Sequence, residues 1–226
     1  MKDTNALNTT SNGAEGLRLD QSVYEQITQM IISGELETGL AISESELSRR
    51  LEVSRTPVHE AINRLAKDGL IIQQHNRRPL VASFDTEDIF DVYEMRRILE
   101  REAAAKAATR IDSFTLSELQ KAAEQYRRCQ DQPSALRAWV EFDDKFHAAI
   151  AAACGSKRLQ ADIERYRLLH RVFNRTHTNP GVLVQAYAEH LKILDALRNR
   201  DAAAAHSAMD HHIAEWQRFF VKHLQH

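Results

Sequence analysis

"SELSRRLEVSRTPVHEAINRLAKDGLI", from Ser45 to Ile71, decides the fold of the first third of the chain. Just upstream, Ser43 is placed to cap a short helix, with Glu46 three residues on at the capping-box position; that helix ends near Glu52. After a three-residue connection, Ser54 starts a second helix that tolerates Pro57 in its first turn, turns Val58, Ile62 and Leu65 inward, and stops at Gly69. Before this pair, Val23, Ile27, Met30 and Ile31 form one stripe of a helix from about Gln21 to Ser33, ended by Gly34. After it, "LIIQQHNRRPLVASF" (Leu70–Phe84) sets two β-favouring runs around the turn-forming "HNRRP". Two short helices joined by a tight turn and followed by a two-stranded wing match the winged helix-turn-helix, whose second helix enters the major groove of DNA.

Charge agrees with that reading. The 226 residues carry a net charge of only −2, but Arg49, Arg50, Arg55, Arg64, Lys67, Arg77 and Arg78 crowd a stretch holding three acids, Glu52, Glu60 and Asp68. Ser54, Arg55 and Thr56 open the second helix, where backbone N–H groups attract phosphate and a guanidinium can pair with guanine. One turn later His59 projects the same way, and Asn76, Arg77 and Arg78 sit at the wing tip.

Beyond Asp85 the strand signals vanish. Six amphipathic helices are predicted at Thr86–Thr109, Leu116–Gln130, Pro133–Ala153, Lys157–Thr176, Gly181–Asn199 and Asp201–His223, with breaks too short for anything but antiparallel neighbours. The chain is therefore expected to be mainly α. Residues 1–16 are expected to form a disordered polar tail without periodicity, 17–84 a winged helix-turn-helix DNA-binding domain, and 85–226 an all-α antiparallel six-helix bundle for effector binding and dimerisation. No apolar run approaches the roughly 20 residues that span a bilayer, and the start of the chain lacks a signal-peptide pattern, so a cytoplasmic location is expected. Two cysteines, Cys129 and Cys154, show no metal-type or redox-type spacing.

The bundle holds polar residues where core is expected. In "FDDKFHAAIAAAC" (Phe142–Cys154), Asp143 and His147 share a helix face with Val140, Ile150 and Cys154. His190 falls on the stripe of Tyr187 and Leu194, and His212 on that of Met209 and Trp216, whereas His211 and Asp144 belong to wetter faces. Asp143, His147, His190 and His212 are thus inward donors on three helices. Either carbonyls, water and one another satisfy them, or one divalent ion does: Zn²⁺, with Ni²⁺, Mn²⁺ and Fe²⁺ as alternatives. Arg96 is also inward, beside Ile89, Tyr93 and Ala103; its partner is either Glu100, four residues on, or the carboxylate of an effector.

The segment Leu19–Ala82 resembles the GntR-family DNA-binding domain, through "SELSRRLEVSRTPVHEAINRLAKDGLI". It departs from the family pattern at His59, where arginine is usual, and at Arg78, where a glycine commonly follows the wing's Asn-Arg. The resemblance implies DNA contacts from Arg49, Ser54, Arg55, Thr56, His59, His75, Asn76 and Arg77. The region from Asp88 to about Phe220 resembles the FCD ligand-binding domain of the FadR subfamily, in its six-helix VanR-like branch, through "DIFDVYEMRRILEREAAAKAA", "DDKFHAAIAAACGSKRL" and "EHLKILDALRNRDAAAAHSAMDHHI". This second resemblance implies a divalent metal on Asp143, His147, His190 and His212, and an effector carboxylate on Arg96.

Together these readings predict a metabolite-responsive transcription factor, a repressor by the family's commoner mode. It is expected to bind a palindromic operator as a homodimer, because one small winged helix contacts too few base pairs to discriminate a site. The alternatives are a DNA-binding dimer with a purely structural metal and a metal-dependent enzyme. For the latter, none of the Glu or Asp residues that the pattern places inward is a clear general base.

Overall fold

The computed structural model describes residues 8–174 and 180–224 and separates into two compact units, Met1–Ser83 and Phe84–His226. In the first unit, α1 (Asn8–Ser33), α2 (Glu44–Arg50) and α3 (Arg55–Asp68) are followed by β1 (Ile71–Ile72) and β2 (Leu80–Val81). The strands pair antiparallel with Ile71 opposite Val81. The Ser43 hydroxyl accepts the Glu46 N–H at the start of α2, and Gly69, at φ 88°, ends α3 in the left-handed conformation that its missing side chain permits. Val23, Ile27, Met30 and Ile31 of α1 are buried with Val58, Ile62 and Leu65 of α3, and Ile71 and Val81 of the wing close the core. Across α1 and α3, the Tyr24 hydroxyl donates to Asp68 (2.7 Å) and the Arg64 guanidinium lies 3.9 Å from the centre of the Tyr24 ring.

The tail departs from expectation. Residues 8–16 continue α1 toward the N-terminus, thirteen residues before Gln21, while residues 1–7 lie outside the described residues. This stretch contains no proline, and once the amphipathic turn at Val23 is packed, adding residues upstream needs no new nucleation.

The second unit is built from α4 (Thr86–Arg110), α5 (Ser113–Cys129), α6 (Ala135–Ala153), α7 (Lys157–Asn174), α8 (Pro180–Arg198) and α9 (Ala202–Leu224). Thr176, the expected end of α7, lies outside the described residues. A full capping box starts α4: Asp85 accepts the N–H groups of Glu87 and Asp88, and Asp88 accepts that of Asp85.

Neighbours in sequence are not always neighbours in space. Rather than packing on α5, α4 makes its extensive contacts with α9, α7, α6 and α8, and is the central rod of the unit. It runs antiparallel to α9, since Gln217 donates to the Phe90 carbonyl, Arg97 to Asp210, and Arg200 to the carbonyls of Ala108 and Ile111. Ala103, Ala104, Ala107 and Ala108 of α4 and Ala205 and Met209 of α9 are buried, and alanine side chains let two helices approach closely, as in the seam between α4 and α9. Val140 is a correction to the expected core: at 42% it is exposed, and Trp139, Phe142 and Phe146 fill the inner face of α6 instead. No helix among the described residues is long and apolar enough to cross a membrane.

Candidate metal centre and nucleic-acid face

Asp143, His147, His190 and His212 reach one point from α6, α8 and α9, with their ligand atoms all within 4.8 Å of one another. His190 Nε2 stands 3.2 Å and His147 Nε2 3.6 Å from Asp143 Oδ1. The three imidazoles are buried and Asp143 is half-buried. Ligands at ~2.0–2.1 Å from a shared ion stand roughly 3–4 Å apart, so coordination requires only small side-chain shifts.

Each imidazole is oriented by the atom behind it. His190 Nδ1 donates to the Ala186 carbonyl one turn earlier on α8 (2.8 Å), His212 Nδ1 donates to Glu189 Oε2 (2.8 Å), and His147 Nδ1 makes a short bond to Glu100 Oε2. Because all three acceptors demand N–H at Nδ1, Nε2 of each ring carries the free lone pair, and a carboxylate or carbonyl behind a ligating histidine fixes its orientation and raises its basicity. His147 Nε2 and His190 Nε2 are buried without a hydrogen-bond partner. Such an orphaned group costs about 1–3 kcal/mol, which a cation at this point would offset. The donor set therefore fits a divalent metal of the kind that takes imidazole and carboxylate together.

The surrounding charges are arranged in pairs. The Arg96 Nε–H donates to Glu100 Oε1 (2.8 Å), both side chains being almost fully buried. Arg167 of α7 donates from one terminal nitrogen to Asp143 Oδ2 (2.7 Å) and to Asp144 Oδ1 (3.0 Å). Asp144 is thus less wet than expected, being shared with Arg167 and, at 3.6 Å, with Arg171. His211 lies on the solvent side, as its pattern predicts. Burial opposes the charge of Glu100, but Arg96 and His147 outweigh it and hold the carboxyl well below its ordinary range. Asp143 is held down in the same way by Arg167 and His147 against burial. Burial pushes His147 down to about 3, reinforced by Arg167, and His212 down to about 4, reinforced by His190. Both rings are neutral at pH 7, the form that ligates metal.

These shifts carry a stability consequence. Below pH 6.5 the unfolded chain protonates both histidines and the folded protein does not, so stability rises with pH between about 4 and 6.5 and is lost on acidification. Each ring contributes about 1.4 kcal/mol per pH unit in that window. Glu100 and Asp143 act in the same direction at lower pH, below their ordinary carboxylate range. Urea unfolding of chelator-treated protein at pH 7, 6 and 5 is expected to show a steep decline. A flat profile would mean that these histidines titrate normally.

Three further residues belong to the site. Glu189 is the acceptor behind His212, Arg167 anchors Asp143, and buried His170 bonds through Nδ1 to the Tyr93 hydroxyl (2.7 Å). Sequence reasoning singled out none of the three. The signal was the spacing of Arg167, His170 and Asn174 along one face of α7. Arg96, Trp139, Asp143, His170, Asn174, His212 and Trp216 line a cavity of ≈ 10 Å³ beside the four donors, about the room one water needs. Arg96 thus binds Glu100, the first of its two expected partners, and also borders this cavity.

In the first unit, all eight sequence-predicted contacts, Arg49, Ser54, Arg55, Thr56, His59, His75, Asn76 and Arg77, are exposed. Arg55 from the start of α3, with Asn76, Arg77 and Arg78 from the wing tip, lines one groove of ≈ 510 Å³ that also takes in Ser43 and Ser45 at the start of α2. Arg49, Ser54, Thr56, His59 and His75 lie outside the groove lining. Asn76 reaches the left-handed region (φ 54°), which lets the wing reverse tightly. His59 Nδ1 bonds to Glu44 Oε1 at 2.9 Å, and this hydrogen bond raises the pKa of the ring. The departure from the family's arginine is therefore coupled to an acid on α2.

Comparison with known proteins follows the same division. Residues 19–81 match the family described as bacterial regulatory proteins, gntR family, and residues 91–215 match the FCD domain. The HTH-type transcriptional repressor RspR of Escherichia coli K12 is 28% identical over 204 residues, covering 87% of this chain and 86% of RspR. The HTH-type transcriptional regulator YdhC of Bacillus subtilis is 26% identical over 188 residues, covering 81% and 83%. Among solved structures, E. coli McbR/YncC aligns with a TM-score of 0.78 at 20% identity over 91% of this chain and 98% of McbR, a likeness of fold.

Proposed function

The chain is a member of the gntR family of bacterial regulatory proteins with an FCD domain, a family of DNA-binding transcriptional regulators rather than enzymes, and on that premise we propose that it is a metal-containing, carboxylate-responsive repressor acting as a homodimer on a palindromic operator. The observation that carries the sensing half is the pair of buried, partnerless Nε2 lone pairs beside Asp143. Asp143, His147, His190 and His212 would hold the ion; once bound, it would act as a Lewis acid that recruits an anionic oxygen.

Charge supports the same conclusion. In the buried chamber three carboxylates, Glu100, Asp143 and Glu189, face two guanidiniums, Arg96 and Arg167, around His147 and His212, both neutral at pH 7, while Asp144 and Arg171 offset each other at the margin. A divalent ion would turn this net single negative charge into a net single positive one, and a monocarboxylate would neutralise it. Arg96 stands at the cavity to orient such a ligand.

The DNA-binding half rests on the groove shared by Arg55, Asn76 and Arg77. The test is operator binding by the full, metal-loaded chain, with the operator selected from random duplexes, in the presence and absence of small carboxylates. Arg55→Ala is expected to lose about 1–3 kcal/mol of operator affinity and to relax preference at one base pair. Arg77→Ala is expected to weaken all sequences alike and to lower the salt slope by about one. An Arg55→Ala variant with unchanged affinity and preference would remove α3 from base readout. One observation favours a second reading, a purely structural metal: the inner cavity is no larger than a water. That reading gains if no carboxylate alters operator affinity.

A further inference from the structure

The space missing beside the metal centre lies on the other side of Trp216. Between α8 and α9 runs a groove of ≈ 250 Å³ lined by Val182, Ala186, Trp216 and Phe219 and by five polar residues, Glu189 and Lys222 among them. Trp216 also lines the inner cavity that Arg96, Asp143 and His212 border. Glu189, in the groove wall, is the acceptor that orients His212 (2.8 Å). The groove and the metal chamber therefore share two walls: an indole, and a carboxylate–imidazole pair. Trp216 is only partly buried, and its ring packs on Phe219 (5.5 Å between centroids) and Phe220 (6.0 Å).

We propose that this groove is the tail subsite of the effector, so that the ligand is a monocarboxylate with a flat apolar tail, its head passing the Trp216 side chain to reach Arg96 and the metal. This rests on the carboxylate-responsive reading above and adds the chemical class of the rest of the molecule. The head has room for little more than a carboxylate oxygen in place of a water, because the inner cavity is ≈ 10 Å³. The tail has an aromatic floor, and aromatic faces favour offset or edge contacts with a planar ring. At ≈ 250 Å³ the groove is just below the range that takes drug-sized ligands, which suits a small metabolite. The two cations in the groove lining, Arg218 and Lys222, balance its two acids, Glu189 and Glu215, so the lining carries no net charge against an anion.

The experiment is calorimetry on the full, Zn²⁺-loaded chain with three probes: acetate, 3-phenylpropionate and 3-phenylpropanol. 3-Phenylpropionate is expected to bind at least tenfold more tightly than acetate, and 3-phenylpropanol, without the charged head, at least tenfold more weakly than 3-phenylpropionate. Val182→Trp, which fills the groove, is expected to bring 3-phenylpropionate back to the affinity that acetate shows for the parent chain. If acetate binds and the phenyl tail adds nothing, the groove assignment falls while the metal and carboxylate reading stands. If the alcohol binds as well as the acid, the groove is unconnected to the metal and the assignment is overturned. If neither acid binds the zinc-loaded chain, the assignment and the carboxylate reading fall together.

Discussion

Zinc titrated into the chelator-treated His190→Ala variant is expected to bind more than 100-fold more weakly than to the parent chain. His190 is fully buried, its Nδ1 is committed to the Ala186 carbonyl, and its Nε2 stands 3.2 Å from Asp143 Oδ1, nearer than the Nε2 of His147 at 3.6 Å. Removing it deletes a ligand outright, a larger change than disturbing the group behind a ligand, which typically costs 10–100-fold. Glu189→Gln supplies that smaller change, because it weakens the acceptor behind His212 without touching a ligating atom. Its loss should fall within that 10–100-fold range. The same ordering should appear in thermal unfolding. An ion at 1,000 times its Kd stabilises by about 4.1 kcal/mol, and a 100-fold weaker site forfeits about 2.7 kcal/mol of that. Zinc affinity in His190→Ala equal to that of the parent chain would rule out the four-residue centre.

Arg96→Met is expected to destabilise the helical unit by about 3–5 kcal/mol in urea unfolding, because it leaves the Glu100 carboxylate buried without its guanidinium. The double variant Arg96→Met/Glu100→Gln is expected to recover much of that loss, since the uncompensated charge leaves with the acid. A cost below 1 kcal/mol for the single variant would show that His147 and Arg167 hold Glu100 without Arg96. The result decides how an effector role for Arg96 is to be tested. Loss of response in a variant that barely folds says nothing about ligand contact. Arg96→Lys keeps the charge beside Glu100 and removes the planar fork that pairs with a carboxylate, so it separates the two roles.

The DNA-binding half was legible because its signals are local. Ser43, Ser54, Pro57 and Gly69 mark the helix ends one after another between residues 43 and 69, and the wing follows at once. The four donors were legible for a related reason: period alone places Asp143 and His147 on one face, and His190 and His212 on the stripes that must be buried. What period does not give is the rotation of one helix against another. Glu189 and His212, or Arg167 and Asp143, meet across helices at angles no single-helix pattern specifies. The same limit hid the order of packing, because short connections suggested that α4 and α5 would be partners, whereas the alanine seam of α4 is filled by α9. Val140 was misread because an apolar residue at the edge of a stripe looks the same whether or not a neighbour covers it.

That seam orders events during synthesis. The N-terminal unit closes on itself within Met1–Ser83, so it can fold as soon as that segment clears the ribosome. The rod at the middle of the second unit has no such option. It is finished at Arg110, and the helix it packs on most extensively starts only at Ala202, an interval of roughly 5–20 s at ordinary elongation rates. For that time the nascent chain exposes an apolar strip whose partner has not been made, a natural landing site for a holdase. Premature termination after α8 would leave it bare for good.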